Sequence, residues 1–320
     1  MPAPPGFRRV NGLPLGKHFT DETIYYVFGY RPTADDVFIV TYPKCGTTWM
    51  QHIVYYIYSD GEPRRSREDF SARTPFFEVL GAEAIANLIR PAAIKTHLPF
   101  EYQPYSEQAK YIYVARNPFD CCVSFYNHYK VFPEYDFADG TFDKFFEMFL
   151  EGNVDFGDYF HHLLSWYPHK NDSNVLFLTY EDLKKDVRAG VLKVAEFLGP
   201  KYGNKVRRSN GIILDKIVQL TDFESMKKVV NHEIKEVRSL HSEKPIEDLP
   251  RFAQLMRQAC GDVVKKPVTR DFVRKGQVGD WRNYFTDEQI SRLREKIKLE
   301  TAGSDVMNLW KDLDFIGPVS

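Results

Sequence analysis

The sequence predicts an α/β fold in which a central parallel sheet is covered by helices on both faces. Short apolar runs recur along the chain, and amphipathic segments of helical period separate them. Strands that are apolar on both faces are typical of a parallel sheet buried between helices. The chain has 320 residues and is 43% hydrophobic, so we expect one large core and a single domain over residues 1–320.

Four apolar runs are predicted strands, and the segments between and after them are predicted helices. The strands are VFIVTY (37–42), AAIKTH (92–97), KYIYVAR (110–116) and NVLFLTY (174–180). The helices are 47–58, 118–132, 141–151, 157–167, 186–198, 205–235 and 286–301. A charge-rich tract with three prolines lies between Phe223 and Phe272. It predicts a partly helical lid over about residues 224–271. Ligands of such sheets bind beyond the carboxyl ends of the strands, so functional side chains are expected there.

Composition and charge narrow the class of partner. The formal net charge is -1 and the sequence pI is about 6.8, which favours a small charged ligand over nucleic acid or a membrane surface. The 4 cysteines form no CxxC pair, so we expect reduced thiols and no metal cluster. The sequence has no signal-peptide pattern and no apolar stretch of membrane-spanning length, so we expect a soluble, cytoplasmic protein.

The segment TYPKCGTTW (41–49) predicts a binding site for a phosphate or sulfate group. A strand, a tight turn and a helix start would bring backbone N–H groups, the hydroxyls of Thr47 and Thr48, and Lys44 around one helix N-terminus. The order differs from the triphosphate loop GxxxxGK(S/T), because Lys44 precedes the only glycine, Gly46. A surface connection that binds nothing is the alternative.

Two further segments carry anion-binding residue types. In ARNPFDCCVS (115–124), Asn117 and Pro118 predict a helix start that leaves Arg116 at a strand end and Ser124 two turns into the helix. In RKGQVGDW (274–281), two cations and flexible glycines can close on an anion. Each could also be an ordinary helix start or a solvated basic turn.

Together, these segments resemble the motifs of the cytosolic sulfotransferases. TYPKCGTTW is similar to the 5′-phosphosulfate motif TYPK(S)GTTW of that family, ARNPFDCCVS to its 3′-phosphate motif RNPxDxxVS, and RKGQVGDW to its loop RKGxxGDW. The resemblance covers nearly the whole chain. It implies a P-loop-like strand, turn and helix that bind the donor 3′-phosphoadenosine-5′-phosphosulfate (PAPS), and no metal.

The resemblance also assigns donor contacts residue by residue. They fall on Lys44, Cys45, Gly46, Thr47, Thr48, Trp49, Arg116, Ser124, Tyr180, Thr221, Phe223, Arg274, Lys275 and Gly276. Of these, Trp49, Tyr180, Thr221 and Phe223 stand where the family places its adenine-binding groups. Cys45 replaces the usual serine, so a thiol stands in place of a hydroxyl.

Four residues are the predicted catalytic group. His97 stands in the KTHLP motif, where the resembling family has its catalytic histidine and a neutral imidazole can take the proton of an attacking hydroxyl. Without that resemblance, a histidine at a strand end would be interpreted as structural. Lys44 would stabilise charge on the departing phosphate, and Lys95, two residues before His97, would neutralise the sulfuryl oxygens. The family's equivalent of Ser124 is thought to hold the lysine away until the acceptor arrives.

The resemblance implies a small phenol, alcohol or amine as acceptor, in an aromatic pocket where Phe19, Phe76 and His128 stand at the family's lining positions. Glu134 or Asp136 lies close to where amine-selective members carry an acid, so an amine could pair there, although both could equally be solvated loop acids. The family's dimer motif is only half matched near residues 282–291, so we expect a monomer or a weak homodimer.

Two other functions are open at this point. One is a kinase or other phosphoryl transferase with a P-loop-like fold, which the position of Lys44 disfavours. The other is a non-catalytic member of the fold that binds a nucleotide or a lipid.

Overall fold

A four-stranded parallel sheet organises residues 7–313, the part of the chain that the computed structural model describes. Its strands run in the order β4-β3-β5-β6, and a separate antiparallel hairpin pairs β1 with β2. The strands are β1 Phe7–Val10, β2 Leu13–Gly16, β3 Val37–Val40, β4 Ile94–Thr96, β5 Lys110–Ala115 and β6 Val175–Thr179. The predicted α/β fold with a parallel sheet is confirmed, while residues 1–6 and 314–320 of the predicted domain lie outside the described residues.

Helices pack on both faces of the sheet, and further helices follow the last strand, β6. The first group is α1 Asp21–Gly29, α2 Thr47–Tyr58, α3 Arg67–Arg73, α4 Phe77–Leu80, α5 Ala82–Ala86, α6 Pro118–Val131, α7 Phe142–Leu150 and α8 Tyr159–Trp166. The second group is α9 Tyr180–Lys185, α10 Val187–Leu198, α11 Pro200–Arg208, α12 Ile212–Leu220, α13 Phe223–Glu243, α14 Arg251–Cys260 and α15 Asp287–Glu300.

Both faces of the sheet are buried, as its apolar strands require. On one face Phe38 of β3 stacks on Tyr111 of β5 at 5.2 Å between ring centroids, within an aromatic core that includes α6, α7 and α8. On the other face Ile39 and Ile112 pack with α2 and α10. This two-sided packing fixes the sheet, so the segments that leave its carboxyl edge start from defined positions.

The predicted helix over 205–235 is wrong, because the chain breaks twice within it. Asn210 and Gly211 have φ angles of 50° and 85°, a left-handed conformation that ends one helix before α12 begins. Asp222 then caps the N-terminus of α13 by accepting a hydrogen bond from Ser225 N at 2.7 Å. The sequence prediction also missed the β1–β2 hairpin and helices α1, α3, α4 and α5.

Candidate active site

A cavity of about 790 Å³ lies at the carboxyl edge of the sheet, where the predicted functional residues collect. Residues just after β3, β4, β5 and β6 line it, together with α6, α13, α14 and the loop 272–280. Its lining includes these predicted residues: Lys44, Gly46, Thr47, Thr48, Trp49, Lys95, His97, Arg116, Ser124, Tyr180, Thr221, Phe223, Arg274, Lys275, Gly276, Phe19, Phe76 and His128. The fold therefore brings together segments that are far apart in sequence.

The turn between β3 and α2 is shaped so that backbone approaches the cavity closely. Lys44 and Gly46 have φ angles of 72° and 101°. A Cβ atom on Gly46 would lie 2.9 Å from Cδ2 of Tyr180, so a larger residue would displace that ring. Gly46 is also the N-cap of α2 and has no side chain to cover the first N–H groups of the helix. The turn thus presents a helix N-terminus that suits an anion.

Arg116 joins the turn to the C-terminal loop of the site. One terminal nitrogen donates to the carbonyl oxygen of Lys44 and the other to that of Gln277, each at 3.2 Å. The guanidinium also lies 4.4 Å from the ring centroid of Tyr180. Its Nε is buried and has no hydrogen-bond partner among residues 7–313. Arg116 therefore holds the two anion-binding segments together and retains a donor for a ligand.

The loop that carries Arg274 and Lys275 is held by two buried aspartates. The carboxylate of Asp120 on α6 accepts from the backbone N–H groups of Gly279 at 2.7 Å and Trp281 at 3.1 Å. Asp280 accepts from Lys275 Nζ at 2.6 Å and pairs with Arg274. Burial raises the pKa of Asp280, but the hydrogen bonds from Lys275 and Arg274 outweigh it and hold the pKa below the usual range. The two cations are thus positioned and partly neutralised within the protein.

His97 lies just beyond β4, and its ring is held in one tautomer. Its Nδ1 is 2.8 Å from the carbonyl oxygen of Thr41, which can only accept, so Nδ1 carries the proton. Its backbone N–H donates to the buried carboxylate of Glu78 at 2.6 Å. Burial, followed by the charge of Lys95, moves the pKa of His97 well below its ordinary value. The imidazole is therefore neutral, and the lone pair of Nε2 is its free basic site.

Two lysines lie beside His97 and repel each other. The ammonium of Lys44 lies 3.6 Å from the ring centroid of Phe272, and that of Lys95 lies 3.8 Å from the ring centroid of Phe76. Burial and then the charges of Lys95 and Arg116 move the pKa of Lys44 well below its ordinary value. Burial also lowers the pKa of Lys95 to about 8. A negatively charged group between these cations would relieve their repulsion.

An aromatic recess borders the turn on the side of α13. The indole N–H of Trp49 donates to the carbonyl oxygen of Thr221 at 2.9 Å, and its ring lies 5.6 Å from that of Tyr180. Phe223 lies against Gly276, where a Cβ atom would come within 2.6 Å of the phenyl ring. This recess offers flat apolar surfaces of the kind on which a nucleobase stacks.

A second aromatic region borders His97. Phe76 and Phe156 lie 5.2 and 5.3 Å from the imidazole between ring centroids, and Phe19 contacts both phenyl rings. His128 contacts Phe272 at 5.6 Å, beneath the ammonium of Lys44. The predicted acceptor residues therefore share one end of the cavity with His97.

Three predicted residues lie differently from the expected arrangement. Cys45 is buried below the turn, where its Sγ is 3.7 Å from that of Cys121 and its N–H donates to Tyr42 O. Asp136 lies in a separate shallow pocket. Glu134 does line the main cavity, but Arg238 of α13 pairs with it at 2.6 Å. The expectation that either acid could be a free loop charge therefore does not hold for Glu134.

The sequence prediction missed several residues that shape the site, including Asp120, Glu78, Asp155 and Arg238. Asp120 lies within the motif RNPxD, and its position as the third residue of α6 was a usable signal. The partners of the other three are distant in sequence, so no local pattern marks them.

Residues 7–313 contain no group of three or more histidines, cysteines or acids arranged to hold a metal ion. In the same part of the chain, no helix combines the length and apolarity needed to cross a bilayer.

Comparison with known proteins identifies the family. The profile of the sulfotransferase domain matches residues 34–305. Rabbit sulfotransferase 1C2 is 33% identical over 93% of this chain and 94% of its own length. The rabbit protein named amine sulfotransferase is also 33% identical, over 86% of this chain and 84% of its own length. The chain belongs to the sulfotransferase family. The resemblance seen in the sequence is thus confirmed, and the chain is a sulfotransferase.

A solved structure agrees with this assignment. Mouse sulfotransferase SULT7A1 was crystallised in complex with PAP, which is adenosine 3′,5′-bisphosphate. It superposes with a TM-score of 0.67 at 26% identity, and the match covers 96% of this chain and 98% of that one. Retinol dehydratase superposes with a TM-score of 0.64 at 23% identity, over 92% of this chain and 89% of that one, which shows the shared fold.

Replacing Gly46 with alanine should destabilise this sulfotransferase more than the same change at Gly303. Both glycines have positive φ angles, but nothing lies within 4 Å of a Cβ at Gly303, whereas Tyr180 blocks one at Gly46. We expect a loss of about 1–2 kcal/mol from backbone strain alone at Gly303 and a further 1–3 kcal/mol at Gly46. Urea unfolding of both variants measures this, and equal losses would contradict the close contact with Tyr180.

Proposed function

We propose that this sulfotransferase transfers the sulfuryl group of PAPS to the hydroxyl or amine of a small acceptor, with His97 as the general base. The observation that carries the proposal is the neutral imidazole of His97, whose Nε2 is free in a cavity shared with Lys44 and Lys95. PAPS supplies an activated sulfuryl group on a phosphate leaving group. The product is adenosine 3′,5′-bisphosphate (PAP).

The donor would be held by three sets of groups. The turn at Lys44 to Thr48 and the N-terminus of α2 suit the 5′-phosphosulfate. Arg116, Ser124 and the loop with Arg274, Lys275 and Gly276 suit the 3′-phosphate, because they combine the buried guanidinium of Arg116 with two further cations and a glycine. The aromatic recess of Trp49, Tyr180, Thr221 and Phe223 suits the adenine.

The chemical step is an in-line displacement at sulfur. The acceptor oxygen or nitrogen forms a bond to sulfur while the bond from sulfur to the bridging phosphate oxygen breaks. Nε2 of His97 takes the acceptor proton, which the hydrogen bond from Nδ1 to Thr41 O allows by fixing the tautomer. Charge grows on the departing oxygen, so a lysine aimed there stabilises the transition state more than the ground state.

Each basic residue has a distinct part in this proposal. Lys44 faces the leaving oxygen, and Lys95 faces the sulfuryl oxygens from the edge of β4. Ser124 on α6 restrains Lys44 until the acceptor arrives.

A monomer or weak homodimer and a cytoplasmic location stay predictions of the sequence.

Transfer of labelled sulfate from PAPS to a panel of phenols, alcohols and amines tests the assignment directly. We expect labelled product with PAPS and none with a labelled nucleoside triphosphate. Lys44→Ala should cut turnover and weaken PAP binding, because a charged hydrogen bond contributes about 1.5–3 kcal/mol. Phosphoryl transfer, or PAP binding without turnover of any acceptor, would support the kinase or the non-catalytic alternative instead.

His97→Gln should separate binding from chemistry. Glutamine can fill much of the space of the imidazole but cannot accept the acceptor proton as a base. We expect turnover to fall about 10²–10⁴-fold while PAP affinity changes little. Calorimetry with PAP and single-turnover rates measure the two effects, and a parallel loss in both would mean that His97 is structural.

Lys95 should limit activity at high pH. Because burial lowers its pKa to about 8, the side chain is cationic below pH 8 and loses its charge as the pH rises through 8. The pKa of His97 is shifted well below 6.5, so the base stays neutral across this range. We expect kcat/KM for PAPS to fall above about pH 8. The pKa of Lys44 is also lowered, but Lys44 is present in parent and variant alike, so the upward shift of the limb in Lys95→Arg measures the part due to Lys95, since arginine stays charged.

The exposed Lys298→Arg on α15 is the matched control for this pH profile. It should leave the alkaline limb where it is in the parent protein. An alkaline limb that Lys95→Arg does not move would contradict the assignment of the limb to Lys95.

A further inference from the structure

The part of the cavity beyond His97 and Lys44 is covered by the lid helices α13 and α14. Val230, Ile234 and Val237 follow one another at helical spacing along the inner face of α13 and line the cavity. Ala253 and Met256 do the same on α14. These residues form an apolar stripe, beside which Glu233, Arg238 and His241 of α13 and Arg257 of α14 also line the cavity.

Two phenylalanine rings and one ion pair connect α13 to the reacting end of the cavity. The ammonium of Lys44 lies over Phe272, and the Phe272 ring contacts that of Phe132 at 6.0 Å. Glu134 follows two residues later and pairs with Arg238 on α13. The C-terminal half of α13 therefore borders the acceptor end of the site.

Each of three carboxylates at this end already has a partner. Glu134 accepts from Arg238 at 2.6 Å, and their side chains are only 7% and 11% exposed. Glu233 accepts from Arg64 at 3.1 Å. Asp155 accepts from Tyr135 OH at 2.6 Å and from the N–H of Gly16. Because Arg238 offsets the charge of Glu134, an ammonium on the acceptor would meet a nearly buried ion pair rather than a free carboxylate.

The apolar stripe is also long compared with one aromatic ring. Between Val230 and Val237, the two ends of the stripe on this helix, α13 rises about 10 Å. A single-ring phenol held at His97 would leave most of this stripe exposed to water. Apolar surface buried at a binding site contributes about 25 cal/mol per Å², so a longer apolar body gains affinity there.

We propose that the acceptor is an uncharged hydroxyl compound with an extended, rigid apolar body, and that the Glu134–Arg238 pair excludes cationic amines. This inference rests on the proposed sulfuryl transfer and specifies its acceptor. It departs from the sequence expectation in which Glu134 or Asp136 binds an amine. Arg238 and the apolar residues of α13 and α14 are then the specificity-determining residues of the reaction.

Three phenols test the proposal with PAPS as donor. 4-Ethylphenol is the small neutral probe, tyramine its cationic analogue of similar size, and 1-hydroxypyrene the extended neutral probe. We expect kcat/KM to be about 10-fold or more higher for 1-hydroxypyrene than for 4-ethylphenol, and about 10-fold or more lower for tyramine. This ranking in the parent protein requires no variant to fold.

Arg238→Met should release the carboxylate of Glu134 and raise kcat/KM for tyramine relative to 4-ethylphenol by about 10-fold. The double variant Glu134→Gln with Arg238→Met should lose that gain, because no carboxylate remains. Arg251→Met is the matched control, since Arg251 pairs with Glu22 at 2.6 Å on the exposed side of the lid and lies outside the cavity lining. It should leave the ratio unchanged.

Ala253→Phe should shorten the apolar chamber. We expect kcat/KM to fall about 10-fold further for 1-hydroxypyrene than for 4-ethylphenol. Ala259→Phe, on the exposed side of the same helix, is the control and should not change their ratio.

The outcomes separate this inference from the proposed function. A parent protein that sulfates 4-ethylphenol better than 1-hydroxypyrene, or tyramine as well as 4-ethylphenol, would overturn the inference and leave sulfuryl transfer intact. Failure of Arg238→Met to change the tyramine ratio would overturn the role of the ion pair. If the protein sulfated neither the three probes nor any other acceptor, the proposed function would be overturned as well.

Discussion

The guanidinium of Arg116 is the contact on which the geometry of the active site depends. Its two terminal nitrogens donate to the carbonyl oxygens of Lys44 and Gln277, which lie 72 and 161 residues away in the sequence. Its flat face lies over Tyr180, which follows β6. A guanidinium suits this task because its donors point in fixed directions within one plane. The turn after β3, the start of α9 and the C-terminal loop are thereby held around one point.

This arrangement stores electrostatic and backbone strain in the protein. Burial and the charges of Lys95 and Arg116 lower the pKa of Lys44, and Lys44 also has a left-handed backbone conformation. Such features reduce stability and persist only where the surrounding fold imposes them. The two-sided packing of β3 and β5 supplies that constraint. An anionic donor would relieve the repulsion, so the same charges that repel one another in the protein alone would strengthen ligand binding.

The sequence predicted the part of the site that is encoded locally. Lys44, His97, Arg116 and Tyr180 each follow an apolar strand, and parallel strands bring such residues to one edge of the sheet. The dipeptide Asn11-Gly12, whose φ angles are 50° and 92°, is typical of a hairpin turn, but the sequence analysis did not predict the β1–β2 hairpin from it. The single helix assigned to 205–235 failed because helical periodicity on both sides of Asn210 outweighed its turn signal.

Contacts between distant segments could not be predicted in this way. Asp120 binds Gly279 across 159 residues, and Arg238 binds Glu134 across 104 residues. The family resemblance suggested Glu134 or Asp136 as an acid near the acceptor, but whether an acid attracts a cation depends on its existing partner. With Arg238 beside it, Glu134 contributes an ion pair rather than a free negative charge to the cavity. Because Arg238 belongs to the same helix that presents the apolar stripe, changes in α13 would alter the shape and the charge of the acceptor site together.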